Sequence, residues 1–97
     1  MDFYTKLNVK VQQKYDYIFR IIKTVEQIPI KYFKYLSGTN SLYEIRVEYA
    51  NNQYRTLCFM DRINVILINS FIKKTKKTPN KEIDLAHKLK KNYYKNK

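Results

Sequence analysis

Leu42–Met60 reads LYEIRVEYANNQYRTLCFM, and its pattern decides the fold. In Leu42–Ala50, Tyr43, Ile45, Val47 and Tyr49 alternate with Glu44, Arg46 and Glu48, the period-two spacing of a strand with one buried face. Asn51-Asn52 follows, and paired asparagines accept the positive φ angles of a tight type I′ turn. Gln53–Met60 is rich in β-formers, so the spacing predicts a hairpin. With Asn51-Asn52 as the turn, Glu48 opposes Arg55 and Arg46 opposes Leu57. Directly opposed residues share a face, so Arg46, Glu48 and Arg55 converge on one surface of the sheet.

Downstream, Asp61–Ile63 reads as a loop, and NVILINSF (Asn64–Phe71) as a third strand whose continuous apolar run suits a covered position. Thr78 is a good N-cap and Pro79 a good first residue for a final helix. Ile83, Ala86, Leu89 and Tyr93 form that helix's apolar stripe, and lysines stud the remainder. Upstream, Val11, Tyr15, Ile18, Phe19, Ile22 and Val25 lie at the spacing of one helix face. Pro29 disfavours helical geometry in the residue before it, so that helix is expected to stop near Ile28. IKYFKYL (Ile30–Leu36) is read as a second, short helix ended by Ser37-Gly38, and Met1–Leu7 as a short edge strand. The expected fold class is α+β: two N-terminal helices packed on a small antiparallel sheet, with a C-terminal helix.

Composition bounds the function. A chain of 97 residues that is 44% apolar is expected to form one domain over 1–97, with enough buried-type surface to exclude disorder. Twenty Lys+Arg against eight Asp+Glu give +12, a charge that points to a polyanionic partner. FIKKTKKTP (Phe71–Pro79) concentrates four of those lysines directly after the third strand. Cys58 is the sole cysteine and His87 the sole histidine, which excludes an internal disulfide and a structural zinc site built from Cys and His alone. No stretch reaches the roughly 18 apolar residues of a membrane span, and the first ten residues lack a signal peptide's apolar core. A cytoplasmic protein with no membrane association is expected.

The order of these pieces is itself informative. LYEIR at Leu42–Arg46, YR at Tyr54-Arg55, the apolar strand ending in Phe71, then KKTKKTP and EIDLAHK together resemble the phage-derived HigB-like toxins. Those belong to the RelE/ParE superfamily of type II toxin–antitoxin systems. The resemblance runs from about Leu42 to Tyr93. It implies a RelE-like fold and a ribosome-dependent mRNA endonuclease (mRNA interferase) that uses no metal or other cofactor. Its implied partners are the ribosome, mRNA and a cognate helix-turn-helix antitoxin, HigA-like. By the same resemblance Arg46 and Arg55 line the RNA-facing surface, and Lys73, Lys74, Lys76 and Lys77 form its basic rim. A C-terminal aromatic stacks on a base in RelE-like enzymes, which singles out Tyr94. Relatives often carry His-Gly before the phenylalanine of the third strand; this chain has Asn69-Ser70.

RNA cleavage of this kind requires a base for the 2′-OH, fixed cations for the phosphorane and a proton donor for the leaving oxygen. Guanidinium groups are always charged and grip phosphate bidentately, which suits Arg46 and Arg55. Lys73 and Lys74 stand among like charges that lower a lysine's pKa, so they are the candidates for base or acid. Lys76 and Lys77 suit phosphate binding, and Thr75 can donate to a phosphate oxygen. Two other readings fit the same residues. One is a ParE-like toxin that inhibits DNA gyrase; the other is a nucleic-acid-binding module without enzymatic activity.

Overall fold

The computed structural model describes residues 2–24 and 27–96, the side chain of Asp2 excepted. Its elements are α1 (Asp2–Thr5), α2 (Val9–Thr24), β1 (Phe33–Tyr35), β2 (Tyr43–Tyr49), β3 (Asn52–Asp61), β4 (Asn64–Lys73) and α3 (Asn80–Lys95). The strands form a four-stranded antiparallel sheet in the order β1-β2-β3-β4. The fold is therefore α+β, as expected. Among the described residues no helix is long and apolar enough to cross a membrane.

Two apolar clusters lie on opposite faces of the sheet. Val11, Tyr15 and Ile18, one stripe of α2, pack on Ile45, Val47, Tyr54 and Cys58. On the other face Ala86 of α3 packs with Leu42, Leu57 and Phe59, with Ile83 and Tyr93 against them. Because both faces are covered, β3 is buried continuously from Tyr54 to Phe59. Within the α2 core Thr56 donates to the Tyr15 hydroxyl at 3.1 Å and shares a 2.8 Å hydrogen bond with Ser70. Burial pushes the Tyr15 phenol up to about 12, so it stays a neutral hydrogen-bonding group. Burial also pushes the Cys58 thiol up to about 12. Because the thiolate is the reactive form, Cys58 is expected to resist a disulfide reagent such as DTNB in the native protein near pH 8 and to react fully once the chain is unfolded. Rapid native labelling would contradict its burial.

Five sequence expectations about these elements need correction. Ile30–Leu36 is not a second helix. Pro29 closes only one turn, its carbonyl accepting from Tyr32 N at 2.9 Å and Phe33 N at 3.2 Å, and Phe33–Tyr35 then forms β1. The edge of β2 captures this segment, and Phe33 stacks on Tyr43 with ring centroids 4.9 Å apart. Gly38 does adopt a positive φ of 74°, but in the β1–β2 connection. Second, residues 2–5 are helical, not an edge strand, and Phe3, Tyr4 and Leu7 pack against the α2 core. Third, α2 ends at Thr24, short of Ile28, and Val25 lies outside the described residues. Asn8 caps its start, accepting from Lys10 N at 2.8 Å.

The fourth correction concerns register. The hairpin turns at Ala50-Asn51, whose φ angles are 52° and 66°, one residue earlier than Asn51-Asn52. Arg46 therefore opposes Arg55, Glu48 opposes Gln53 and Glu44 opposes Leu57. Moving the turn by one residue slips the pairing by two, which preserves the face of every side chain. The convergence of Arg46, Glu48 and Arg55 survives the error, and the two arginines come directly opposite one another. Fifth, in the next connection Asp61 ends β3 and accepts from the Tyr93 hydroxyl at 2.8 Å, so the turn is shorter than Asp61–Ile63.

Candidate nucleic-acid interface

One sheet face grades from apolar to charged. Along β2 it runs from Leu42, fully buried under α3, through Glu44 and Arg46 to the exposed Glu48. Along β3 it runs from Phe59 through Leu57 and Arg55 to Gln53, and β4 ends beside Gln53 at Lys73. Beyond the apolar contact of α3, the charged end of this face forms the floor of a groove. A bulge between Thr56 and Cys58 adds a residue to β4 and re-aims the following side chains. Asn69 then reaches α3, donating to the Glu82 carbonyl at 2.9 Å and its carboxylate at 3.0 Å. The Asn69-Ser70 pair is thus occupied in structure, Asn69 holding the first turn of α3 and Ser70 bonding Thr56.

Two arginines placed directly across a strand pair repel one another. Glu44 resolves this: its Oε1 lies 3.3 Å from Arg46 Nε and 3.4 Å from Arg55 Nε. Neither Nε–H is aimed for a hydrogen bond, so these contacts are ionic. Arg55 is 2% exposed, and its Nη1 donates to the Tyr54 carbonyl at 3.0 Å and its Nη2 to Gln53 Oε1 at 3.1 Å. Burial lowers its pKa, with Glu44 pulling the other way, and the guanidinium stays charged. Arg46 keeps 21% of its side chain exposed and reaches the Ile30 carbonyl only weakly, at 3.5 Å. Arg46 is therefore the guanidinium that a phosphate can reach, and Arg55 a charge held beneath it.

The other carboxylate oxygen of Glu44 accepts a hydrogen bond from Thr78. Thr78 is consequently not the N-cap of α3. Pro79 occupies that position without a side-chain cap, and the Pro79 carbonyl accepts from Glu82 N at 3.0 Å. The effect is to tie the lysine-rich segment 74–78 down onto the arginine pair.

Two grooves meet here. The larger, of about 710 Å³, brings together Arg46, Arg55, Lys73, Lys74, Thr75 and Lys76 of the expected site, with Gln53 and Glu48 on its wall. The second, of about 320 Å³, shares Arg46, Lys73 and Lys76 and adds Lys34, Lys77 and Thr78 around Glu44. Lys73 is 9% exposed. Burial lowers its pKa most, Arg55, Arg46 and Lys34 lower it further, and Glu44 opposes them. Thr75 spends its hydroxyl proton on the Lys77 carbonyl at 2.6 Å. Tyr94 does not join these residues. It sits near the C-terminal end of α3 with its ring 5.6 Å from Phe59, toward the β3–β4 turn. His87, on α3, lines neither groove.

Glu44 is the residue that sequence reasoning missed. Alternation placed it correctly, on the face of Arg46 and Glu48, but marked that face as solvated. It is 1% exposed because Thr78, over thirty positions away, covers it.

The sequence was compared with known proteins. A family model, described as phage derived protein Gp49-like (DUF891), matches residues 2–91. No curated protein and no solved structure matches.

Proposed function

The chain belongs to the phage-derived Gp49-like family, a toxin-type family, and on that premise we propose that it is the toxin of a type II toxin–antitoxin system. Its activity in this reading is HigB-like: a metal-independent endoribonuclease that cuts mRNA in the ribosome and so inhibits translation. The observation that carries the reading is the groove in which Arg46 and the largely buried Lys73 stand over the buried Arg55–Glu44 pair, rimmed by Lys74, Lys76 and Lys77.

In the reaction the ribose 2′-oxygen attacks the adjacent phosphorus, and the bond from phosphorus to the 5′-oxygen breaks. The 5′-oxygen leaves as it takes a proton from solvent water, and the products carry a 2′,3′-cyclic phosphate and a 5′-hydroxyl. Arg46 grips the phosphate oxygens as charge builds on them, and Arg55 adds a fixed positive potential from below. Lys73, as the neutral amine, takes the 2′ proton. Little else in the groove is a strong acid or base, so a ribosome that holds the mRNA bent for in-line attack supplies the missing orientation. A HigA-like helix-turn-helix antitoxin is the partner that shields the basic groove.

A pH dependence follows from Lys73. Its lowered pKa means that more of it is neutral at a given pH, so cleavage rises with pH through an apparent pKa below the ordinary lysine value of about 10.4. Lys73→Arg keeps the positive charge without the base and is expected to abolish that alkaline limb. An unchanged profile would remove Lys73 from the proton transfer.

The test in cells is to induce the chain in a bacterium and map the 5′ ends of the transcriptome. Cuts confined to translated regions, in step with the reading frame, are the expected result. Growth arrest with intact mRNA and relaxed plasmid DNA would overturn the reading in favour of a ParE-like gyrase inhibitor. Neither phenotype would leave a non-enzymatic nucleic-acid-binding module.

A further inference from the structure

On the side of Arg46 away from the lysine rim, β1 pairs with β2 only across Tyr43–Ile45, and the last backbone bond is Arg46 N to the Tyr32 carbonyl at 2.8 Å. Beyond it, among the described residues, no strand pairs with the edge of β2, and α2 packs beside it. The cleft between them encloses about 480 Å³ and is lined by Lys10, Lys14, Tyr17, Tyr32, Arg46 and Tyr49. Lys10, Lys14 and Tyr17 occupy one face of α2 at helical spacing, off the core stripe of Val11, Tyr15 and Ile18.

We propose that this cleft is a base-stacking subsite for the single-stranded RNA whose phosphates the Arg46–Lys73 groove holds. The inference rests on the reading of that groove as an RNA site and adds where the flanking nucleotides go. Three features carry it. Tyr17 is 48% exposed and contributes nothing to the buried core, yet its ring is held edge-on to Tyr32 with centroids 5.9 Å apart. A tyrosine fixed in this way presents a π face at little entropic cost, and any base can stack on it. Second, the rings are interleaved with cations: Lys10 and Lys14 on the helix, and Lys31, whose Nζ lies 4.9 Å from the Tyr32 centroid. A ligand with flat apolar faces at intervals along an anionic backbone matches that alternation; a lipid or an acidic peptide matches only half of it. Third, Arg46 lines both the cleft and the lysine groove, so one strand can pass from one to the other across a single guanidinium. Glu48, the one carboxylate among the described residues of the cleft, lies 3.8 Å from Arg55 Nη2, which offsets its repulsion of phosphate.

The test is fluorescence anisotropy with the full chain and a labelled single-stranded RNA of about a dozen nucleotides, within the usual range of such sites. Tyr17→Ala is expected to weaken binding by roughly five- to a hundredfold with an unchanged salt slope, because stacking releases no counterions. Tyr17→Phe is expected to bind as the wild type does. Lys14→Ala is expected to weaken binding and flatten the salt slope by about one unit. An oligomer of the same length lacking bases is expected not to distinguish Tyr17→Ala from wild type. Wild-type affinity in Tyr17→Ala, together with weak binding by Lys73→Ala, would overturn the stacking subsite and leave the basic groove standing. A wild-type protein that binds no RNA even at low salt would overturn both.

Discussion

Replacing Arg46 with alanine is expected to lower mRNA cleavage on programmed ribosomes by about 10²–10³-fold, the usual cost of removing one preorganised donor to a developing oxyanion. The fold is expected to survive. Arg46 is the more exposed arginine, its link to the Ile30 carbonyl is long, and Glu44 retains Arg55 and Thr78 when Arg46 is gone. The stability change is therefore expected to stay within about 1 kcal/mol, as for a partly exposed ion pair. Arg46→Lys restores the charge but not the planar fork and is expected to recover only part of the rate. Single-turnover cleavage and a thermal melt on the same preparations separate the two effects. Full activity in Arg46→Ala would remove the phosphate-gripping role.

The largest stability effect is expected at Glu44, which no substrate needs to touch. Glu44 and Arg55 are 1% and 2% exposed, and a buried pair that loses one partner strands the other charge. Such a loss costs roughly 3–5 kcal/mol. Against a total of about 5–15 kcal/mol for a typical domain, that is a large share. Glu44→Ala also leaves Arg46, Arg55 and Lys73 facing each other with no central anion and releases Thr78 from the sheet. At about 4–8 °C per kcal/mol in a domain of this size, the melting temperature is expected to fall by roughly 12 °C or more. Glu44→Gln preserves the acceptor for Thr78 but not the charge, and should fall between wild type and alanine. A Glu44→Ala protein that melts within a degree or two of wild type would show that the pair contributes no net stability.

These two residues also show how far the sequence carried the structure. Alternation in Leu42–Ala50 placed Glu44 and Arg46 on one face, and since the register error was even, Arg55 joined them despite it. The α3 stripe was legible for the same reason: Ile83, Ala86 and Tyr93 repeat at a helical period, and they do form that contact. What failed depended on distant partners. Ile30–Leu36 carries helix punctuation at Pro29 and Gly38, but an unpaired β2 edge and the face of Tyr43 won it for a strand. Thr78 has the local chemistry of a cap, and a buried carboxylate in β2 outbid the helix for its hydroxyl. Tyr94 follows the site residues in sequence, yet nearly the whole length of α3 carries it toward the opposite end of the sheet.

The most direct measurement adds purified protein to a defined mRNA with and without programmed ribosomes and maps the new ends. Cuts are expected only where ribosomes are present, inside the coding sequence and lost in Arg46→Ala. Intact mRNA in both arms would contradict the endoribonuclease reading and turn attention to DNA gyrase.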